Sequence, residues 1–107
     1  MYIEYFRMRE TAQPPRRANP SDAGMDLAFA PESREGVTIR PGESVICATG
    51  LKFGVPHGYM LQIMNRSGVA AMRSLVVGAC VVDAGYNGEV FINLHNIGQD
   101  VQTVEPG

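Results

Sequence analysis

Short apolar runs broken by glycine and proline recur along the whole chain, and their lengths predict strands. Residues 2–8 (Tyr-Ile-Glu-Tyr-Phe-Arg-Met) form the first. The polar stretch 11–20, with Pro14, Pro15 and Pro20, cannot be helix. Ser21 to Phe29 reads as a turn opening into a strand, and Val37–Arg40, Pro41-Gly42 and Ser44–Ala48 as a strand pair around a turn. Leu51–Val55 and Tyr59–Met64 are further strands, separated by the turn Pro56-His57-Gly58. Residues 67–72 are the single helical candidate. Leu75 to Val82 and Glu89 to Asn96 frame a hairpin, and Val101–Val104 begins a last strand. Punctuation every 8 to 12 residues predicts an all-β fold, a sandwich or barrel.

One echo runs through this pattern. Thr38-Ile39-Arg40-Pro41-Gly42 repeats as Thr103-Val104-Glu105-Pro106-Gly107. The first copy leads into another strand, whereas the second ends the chain. The expectation is a last strand without its hairpin partner, and hence a chain cut at its C-terminus or completed by another subunit.

Composition narrows the function classes. The 107 residues suit one domain, 1–107. With 45% hydrophobic and 19% charged residues the chain is globular rather than disordered. Tryptophan is absent, so Val, Ile, Leu and the six methionines are expected to fill the core. A formal net charge of −2 argues against binding driven by general attraction to nucleic acid or anionic membrane. Any bound phosphate must then be held by a few placed arginines and backbone amides. Cys47 and Cys80 lie in apolar strands with no CxxC spacing, which predicts buried free thiols in a reducing, cytoplasmic setting. Residues 1–8 are too charged and alternating for a signal-peptide core, and no apolar run approaches membrane-spanning length.

Three stretches could carry chemistry. Asn65-Arg66-Ser67-Gly68 follows an apolar strand and precedes the helical candidate, and its guanidinium, hydroxyl and first-turn amides suit an anion. The plain alternative is a capped turn with a solvated arginine. Asp26, in Ala23-Gly24-Met25-Asp26-Leu27, is a carboxylate at a strand start, a common place for aspartate. Asp83 and Tyr86 are stronger together, because a carboxylate at a strand end can activate water and a ring three residues on can stack on a sugar or base. The alternative for Tyr86 is a half-buried hairpin aromatic. His57 and His95 have no second ligand or nucleophile nearby in sequence and are assigned to structure.

Ala-Gly-x-Asp-Leu (23–27), Arg-Ser-Gly-Val-Ala (66–70) and Gly-Ala-x-Val-Val-Asp-x-x-Tyr-x-Gly-Glu (78–89) occur in that order. From about Pro15 to Gly107 the chain resembles the trimeric dUTP pyrophosphatase (dUTPase) family in the first three of its five motifs. The resemblance implies a jelly-roll-like β fold, a distorted barrel or sandwich. It also implies a homotrimer with shared active sites and hydrolysis of dUTP to dUMP and pyrophosphate with Mg²⁺. On this resemblance Asp83 activates the water that attacks the α-phosphate. Tyr86 packs on the deoxyribose and excludes a ribose 2′-hydroxyl. The 79–91 segment, through Ala79, Cys80, Val82 and Phe91, reads the base and sugar. Arg66, Ser67 and Gly68 hold the phosphates, and Asp26 orients water around a magnesium carried mainly by the triphosphate.

The departures also matter. Cys80 stands where the family usually has glycine, and Gly85 where it has a second acid. Asp-Ala-Gly-Tyr is a little like the Asp-Pro-Gly of dCTP deaminases. Those enzymes carry a catalytic glutamate ten residues beyond that aspartate, where this chain has Asn93, and they prefer Arg-Ser-Ser; deamination is disfavoured. A non-catalytic β module that keeps the fold is the alternative from another class. The family's fourth motif, Gly-Asp-(Arg/Lys)-Ile-Ala-Gln, and its glycine-rich arm do not occur in these residues, so weak binding and poor turnover are expected of the chain as it stands.

Overall fold

The computed structural model describes residues 2–107. Among them, nine strands and one helix follow in the order β1 (Glu4–Arg7), β2 (Val37–Ile39), β3 (Ser44–Ala48), β4 (Leu51–Gly54), β5 (Met60–Gln62), α1 (Ser67–Arg73), β6 (Leu75–Val77), β7 (Val81–Asp83), β8 (Phe91–Asn96) and β9 (Gln102–Val104). The all-β expectation holds, with one two-turn helix in the expected place. The strands group as β1–β4, β2–β9, β3–β8–β6 and β5–β7, all antiparallel. These small sheets do not close into a barrel.

Pairing differs from the local reading in four places. The Pro41-Gly42 turn forms, but as a corner between sheets: Gly42 N–H donates to Asn96 O at 2.8 Å. Strand β2 then pairs with β9 and β3 with β8, not with each other. The strand expected across 21–29 reduces to one bridge between Arg16 and Asp26. The last strand does have a partner, because the two echo copies pair with Thr38 opposite Thr103.

The fourth difference concerns the expected 75–96 hairpin. Only its base is a hairpin, with β6 on β8 in the register Leu75↔Asn96 to Val77↔Leu94. The chain then leaves β8, and β7 pairs with β5 instead (Met60↔Asp83, Gln62↔Val81). Gly78 permits the departure. A Cβ there would lie 2.3 Å from Asn93 Oδ1 and 2.4 Å from His95 Nε2. Side chains finish the break: Asn65 Oδ1 accepts Val77 N–H at 2.7 Å, and Asn93 Oδ1 accepts Ala79 N–H at 3.4 Å.

Val55, Val82 and Val90 form the core beneath β5 and β7, backed by Leu27, Phe53, Leu61, Ile63 and Ile92. Ile39, Leu51 and Leu75 are fully buried elsewhere. Burial of such branched side chains contributes roughly 25 cal/mol per Å². The methionines do not help to fill this core. Met8, Met25, Met60, Met64 and Met72 are all exposed, Met72 at 83%, and Met1 lies outside the described residues. The buried positions under these strands of three to six residues are taken mainly by Val, Ile and Leu instead. Cys47 is buried as expected, and burial pushes its thiol up; Cys80 is only partly buried.

Candidate active site

Alternation along β7 orients the first candidate. Val82 is buried against Val55 and Val90, so Val81 and Asp83 face outward. Asp83 therefore stands exposed at the end of a strand whose register is held from below. The next residues form a turn in which Tyr86 N–H donates to Asp83 O at 3.1 Å. The Tyr86 hydroxyl donates to Glu89 O at 2.5 Å, and the residue remains 44% exposed. Tyr86 thus has the half-exposed placement that either reading allowed.

The base-reading candidates are split. Val82 gives its side chain to the core, so only its backbone could face a ligand. The Cys80 carbonyl accepts Ile63 N–H at 2.7 Å, which turns that part of the segment toward β5. Phe91 is exposed at the start of β8, opposite Ala48, and Ala79 is exposed at the crossover.

The second cluster sits elsewhere. Strand β5 runs through Ile63, Met64 and Asn65 into α1, with Arg66 as its extended N-cap residue (φ −82°, ψ 127°). No side chain caps this helix and its first turn has no acid, so Ser67 and Gly68 present their backbone without a competing carboxylate. Arg66 Nε lies 3.6 Å from Asp26 Oδ1, both partly exposed, on the wall of a cavity of about 600 Å³. Asp26 and the Arg66 segment therefore belong together. Asp83 and Tyr86 are not among the residues lining that cavity.

Strand register explains the separation. Asp83 pairs with Met60 at one end of the β5–β7 ribbon, whereas Arg66 lies six residues past Met60, beyond the other end. At roughly 3.3 Å per residue, up to about 20 Å of extended chain intervenes. Within one chain the acid and the phosphate candidates lie apart.

Sequence reasoning missed one element that touches the Asp83–Glu89 turn. The Arg9 guanidinium forks onto Glu89, with Nη1 to Oε1 at 3.0 Å and Nη2 to Oε2 at 2.5 Å. Gly50 N–H adds a bond to Oε2 at 2.9 Å, and Arg9 Nε donates to Ala30 O at 2.8 Å. Both side chains are largely buried (17% and 12% exposed). The hydrogen bond from Arg9 holds the Glu89 carboxyl below the usual carboxylate range, against the upward push of burial, and Glu89 raises the guanidinium in return. Eighty residues separate the two, and no local pattern marks Arg9. His95, assigned to structure from the sequence, has its Nε2 2.9 Å from Asn93 Oδ1.

Among the described residues, no group of three or more His, Cys, Asp or Glu side chains could cage a metal ion, and no helix is long and apolar enough to cross a membrane. The acids stand singly, Asp26 in one cluster and Asp83 in the other. Such a set fits an ion held mainly by phosphate oxygens and water, as Mg²⁺ commonly is.

The chain is similar to known proteins along most of its length. The dUTPase family model matches residues 10–107. The deoxyuridine 5′-triphosphate nucleotidohydrolase of Agrobacterium fabrum is 42% identical over 87 residues, covering 79% of this chain and 56% of the relative. That of Chlamydia muridarum is 31% identical over 105 residues, covering 96% and 71%. Among solved structures, a mutant dUTPase of phage phi11 of S. aureus, described as coordinating a structural Mg(II) ion, superposes with a TM-score of 0.82 at 31% identity. It is covered to 63%, and this chain to 94%. The dUTPase of Staphylococcus bacteriophage 80alpha gives 0.81 at 31% identity, with 92% of this chain and 61% of that one covered. The chain thus spans little more than half the length of the Agrobacterium relative and under two thirds of the phage enzymes. Its strands share their all-β, jelly-roll-like arrangement. On a family model spanning nearly the whole chain and relatives above 30% identity, this protein belongs to the dUTPase family.

Proposed function

We propose that the protein hydrolyses dUTP to dUMP and pyrophosphate, which keeps uracil out of DNA and supplies dUMP for thymidylate synthesis. The observation that carries this reading is the outward carboxylate of Asp83, held at a strand end by the buried Val82 and followed by the half-exposed Tyr86. Asp83 takes the proton of a water aligned on the α-phosphorus. Tyr86 lies on the deoxyribose, where a 2′-hydroxyl would meet its ring. Ala79, Cys80, Val82 and Phe91 border the base and sugar, Val82 through its backbone. Arg66, Ser67 and Gly68 bind the phosphates by charge and backbone N–H groups. Asp26, beside Arg66, would hold water around a Mg²⁺ carried mainly by the triphosphate, and such an ion would offset the phosphate charge.

Because Asp83 and Arg66 lie at opposite ends of the β5–β7 ribbon, one complete site takes Asp83 from one copy and Arg66 from another. This supports a homotrimer with shared sites. The exposed Ile46, Met64, Met72 and Val81 supply apolar surface for such contacts. A cytoplasmic setting suits the free thiols and the substrate, and neither nucleic acid nor membrane is a partner.

The test is pyrophosphate release from dUTP, dCTP and dTTP with Mg²⁺. Release confined to dUTP is expected. No release from any of them would leave a nucleotide-binding or oligomerisation module, equal release from all three an unselective nucleotide pyrophosphatase, and ammonia from dCTP would indicate a deaminase relative.

A further inference from the structure

The Arg9–Glu89 fork has no part in the chemistry proposed above, yet it is among the best-anchored contacts of the molecule. On one side Arg9 sits on a braced turn. Met8 N–H donates to Gly50 O at 2.7 Å, and Ala12 N–H to Arg9 O at 3.1 Å. Arg7 Nε donates to Ala12 O at 2.8 Å. Gly50 lies at φ +70°, and a Cβ there would come 2.7 Å from Ala12 Cβ, so backbone must fill this place. Gly50 thereby serves both partners, accepting from the Arg9 turn and donating to Glu89 Oε2.

On the other side, Glu89 and Val90 are locked to the body of the fold. Val90 N–H donates to Leu51 O at 2.8 Å, and the Thr49 hydroxyl donates to Val90 O at 2.6 Å. The backbone carbonyl of this same Glu89 accepts the Tyr86 hydroxyl. The ring lies so close over Gly88 that a Cβ there would be 2.8 Å from the hydroxyl oxygen. Tyr86 is therefore an exposed ring latched at its far end to a residue whose side chain is gripped from the N-terminal turn.

We infer that Arg9 and Glu89 are positioning residues for Tyr86, and that their fork sets how sharply the sugar pocket tells a 2′-deoxynucleotide from a ribonucleotide. With the fork intact the Glu89 carbonyl is fixed, and the hydroxyl bond holds the ring in one pose before any ligand arrives. With Arg9 gone, the carboxylate retains only the Gly50 amide in a largely buried place and turns toward water. The Val90 N–H bond to Leu51 O remains, so the Glu89–Val90 peptide tilts about that bond rather than leaving its place. The carbonyl turns off the hydroxyl, the latch weakens, and the ring can swing aside for a 2′-hydroxyl. The selectivity part of this inference rests on the proposed dUTP reading; the coupling between fork and ring does not.

Two readouts keep these apart. The first is the Tyr86 ¹³Cζ resonance of ligand-free protein, which reports the hydroxyl bond. Arg9→Met is expected to move it toward that of Tyr2, whose side chain is almost wholly exposed. Ile39→Val, a core change remote from the turn, is expected to leave it in place. The second is the ratio of kcat/KM for dUTP to that for UTP. Tyr86→Phe and Arg9→Met are each expected to lower it about fivefold, the worth of one hydrogen bond, and the double variant no further than the worse single one. Arg9→Lys, which keeps charge but loses the fork, falls in between and stands in if Arg9→Met does not fold. An unmoved Tyr86 resonance in the Arg9 variant, or lower activity with an unchanged dUTP/UTP ratio, overturns the inference. If the unaltered protein does not act on dUTP, the functional reading fails and the resonance alone decides the coupling.

Discussion

Asp83→Asn is expected to lower dUTP turnover by about 10²–10⁴-fold, the usual contribution of a positioned general base, while leaving the fold unchanged. Amide and carboxylate are nearly the same size, so what is removed is the ability to accept the water proton. The structural cost is small for a particular reason: Asp83 is exposed, and its side chain takes part in none of the hydrogen bonds or ion pairs that hold the turn. Register comes from the Met60↔Asp83 backbone pairing and from Val82 beneath it. Unfolding free energy from urea titration is expected to stay within about 0.5 kcal/mol of the unaltered protein. Turnover at the unaltered rate would remove Asp83 from the mechanism. Lost activity together with lost stability would make it a structural residue.

Gly78→Ala is expected to be the most damaging single-methyl change among the glycines of the 78–88 segment, at about 1–3 kcal/mol. The new Cβ would sit 2.3 Å from Asn93 Oδ1 and 2.4 Å from His95 Nε2, two groups bound to each other and to their neighbours. Asn93 also accepts Ala79 N–H and donates to Val45 O at 3.2 Å, so it cannot turn away without losing partners. Relief would come from moving the chain at the β6–β7 crossover, which carries Ala79 and Cys80. Gly85→Ala is the contrast. A Cβ at Gly85 meets nothing within 4 Å, and the change is expected to fall within about 0.5 kcal/mol. Gly85, the departure from the family's second acid, is thus tolerant in structural terms, whereas Gly78 is not. Urea titration of the pair checks this, and equal destabilisation would refute the account of the crossover.

The two glycines also show where the sequence was legible. Strand existence followed from short apolar runs and Gly/Pro punctuation, and the helix from the one stretch that suits neither strand nor turn. Which strand meets which did not follow. Apolar runs are no guide to pairing: residues 75–82 look continuous in sequence and split because Gly78 passes between Asn93 and His95, contacts made 15 and 17 residues away. The β2–β9 pairing joins residues 65 apart, Thr38 and Thr103, whose repeated pattern had suggested instead a last strand without a partner. The methionines misled because apolar character says a residue favours burial, not that this small core has room for it.

The candidate site was legible motif by motif, since each motif is local. Its assembly was not. Asp26 and Arg66 meet through a contact across 40 residues, Arg9 and Glu89 across 80, and the distance between Asp83 and Arg66 is set by the β5–β7 register. Side-chain chemistry can be read from short segments, whereas an ion pair or a shared wall depends on pairings that loop closure and packing decide.

The proposed chemistry turns on a water held by Asp83 attacking the α-phosphorus of dUTP. Hydrolysis in H₂¹⁸O with Mg²⁺, followed by ³¹P NMR of the products, follows that water to its destination. The expected isotope shift lies in dUMP alone, with none in pyrophosphate, and labelled dUMP from Asp83→Asn forms about 10²–10⁴-fold more slowly. Label in pyrophosphate would place the attack on the β-phosphorus and contradict this mechanism.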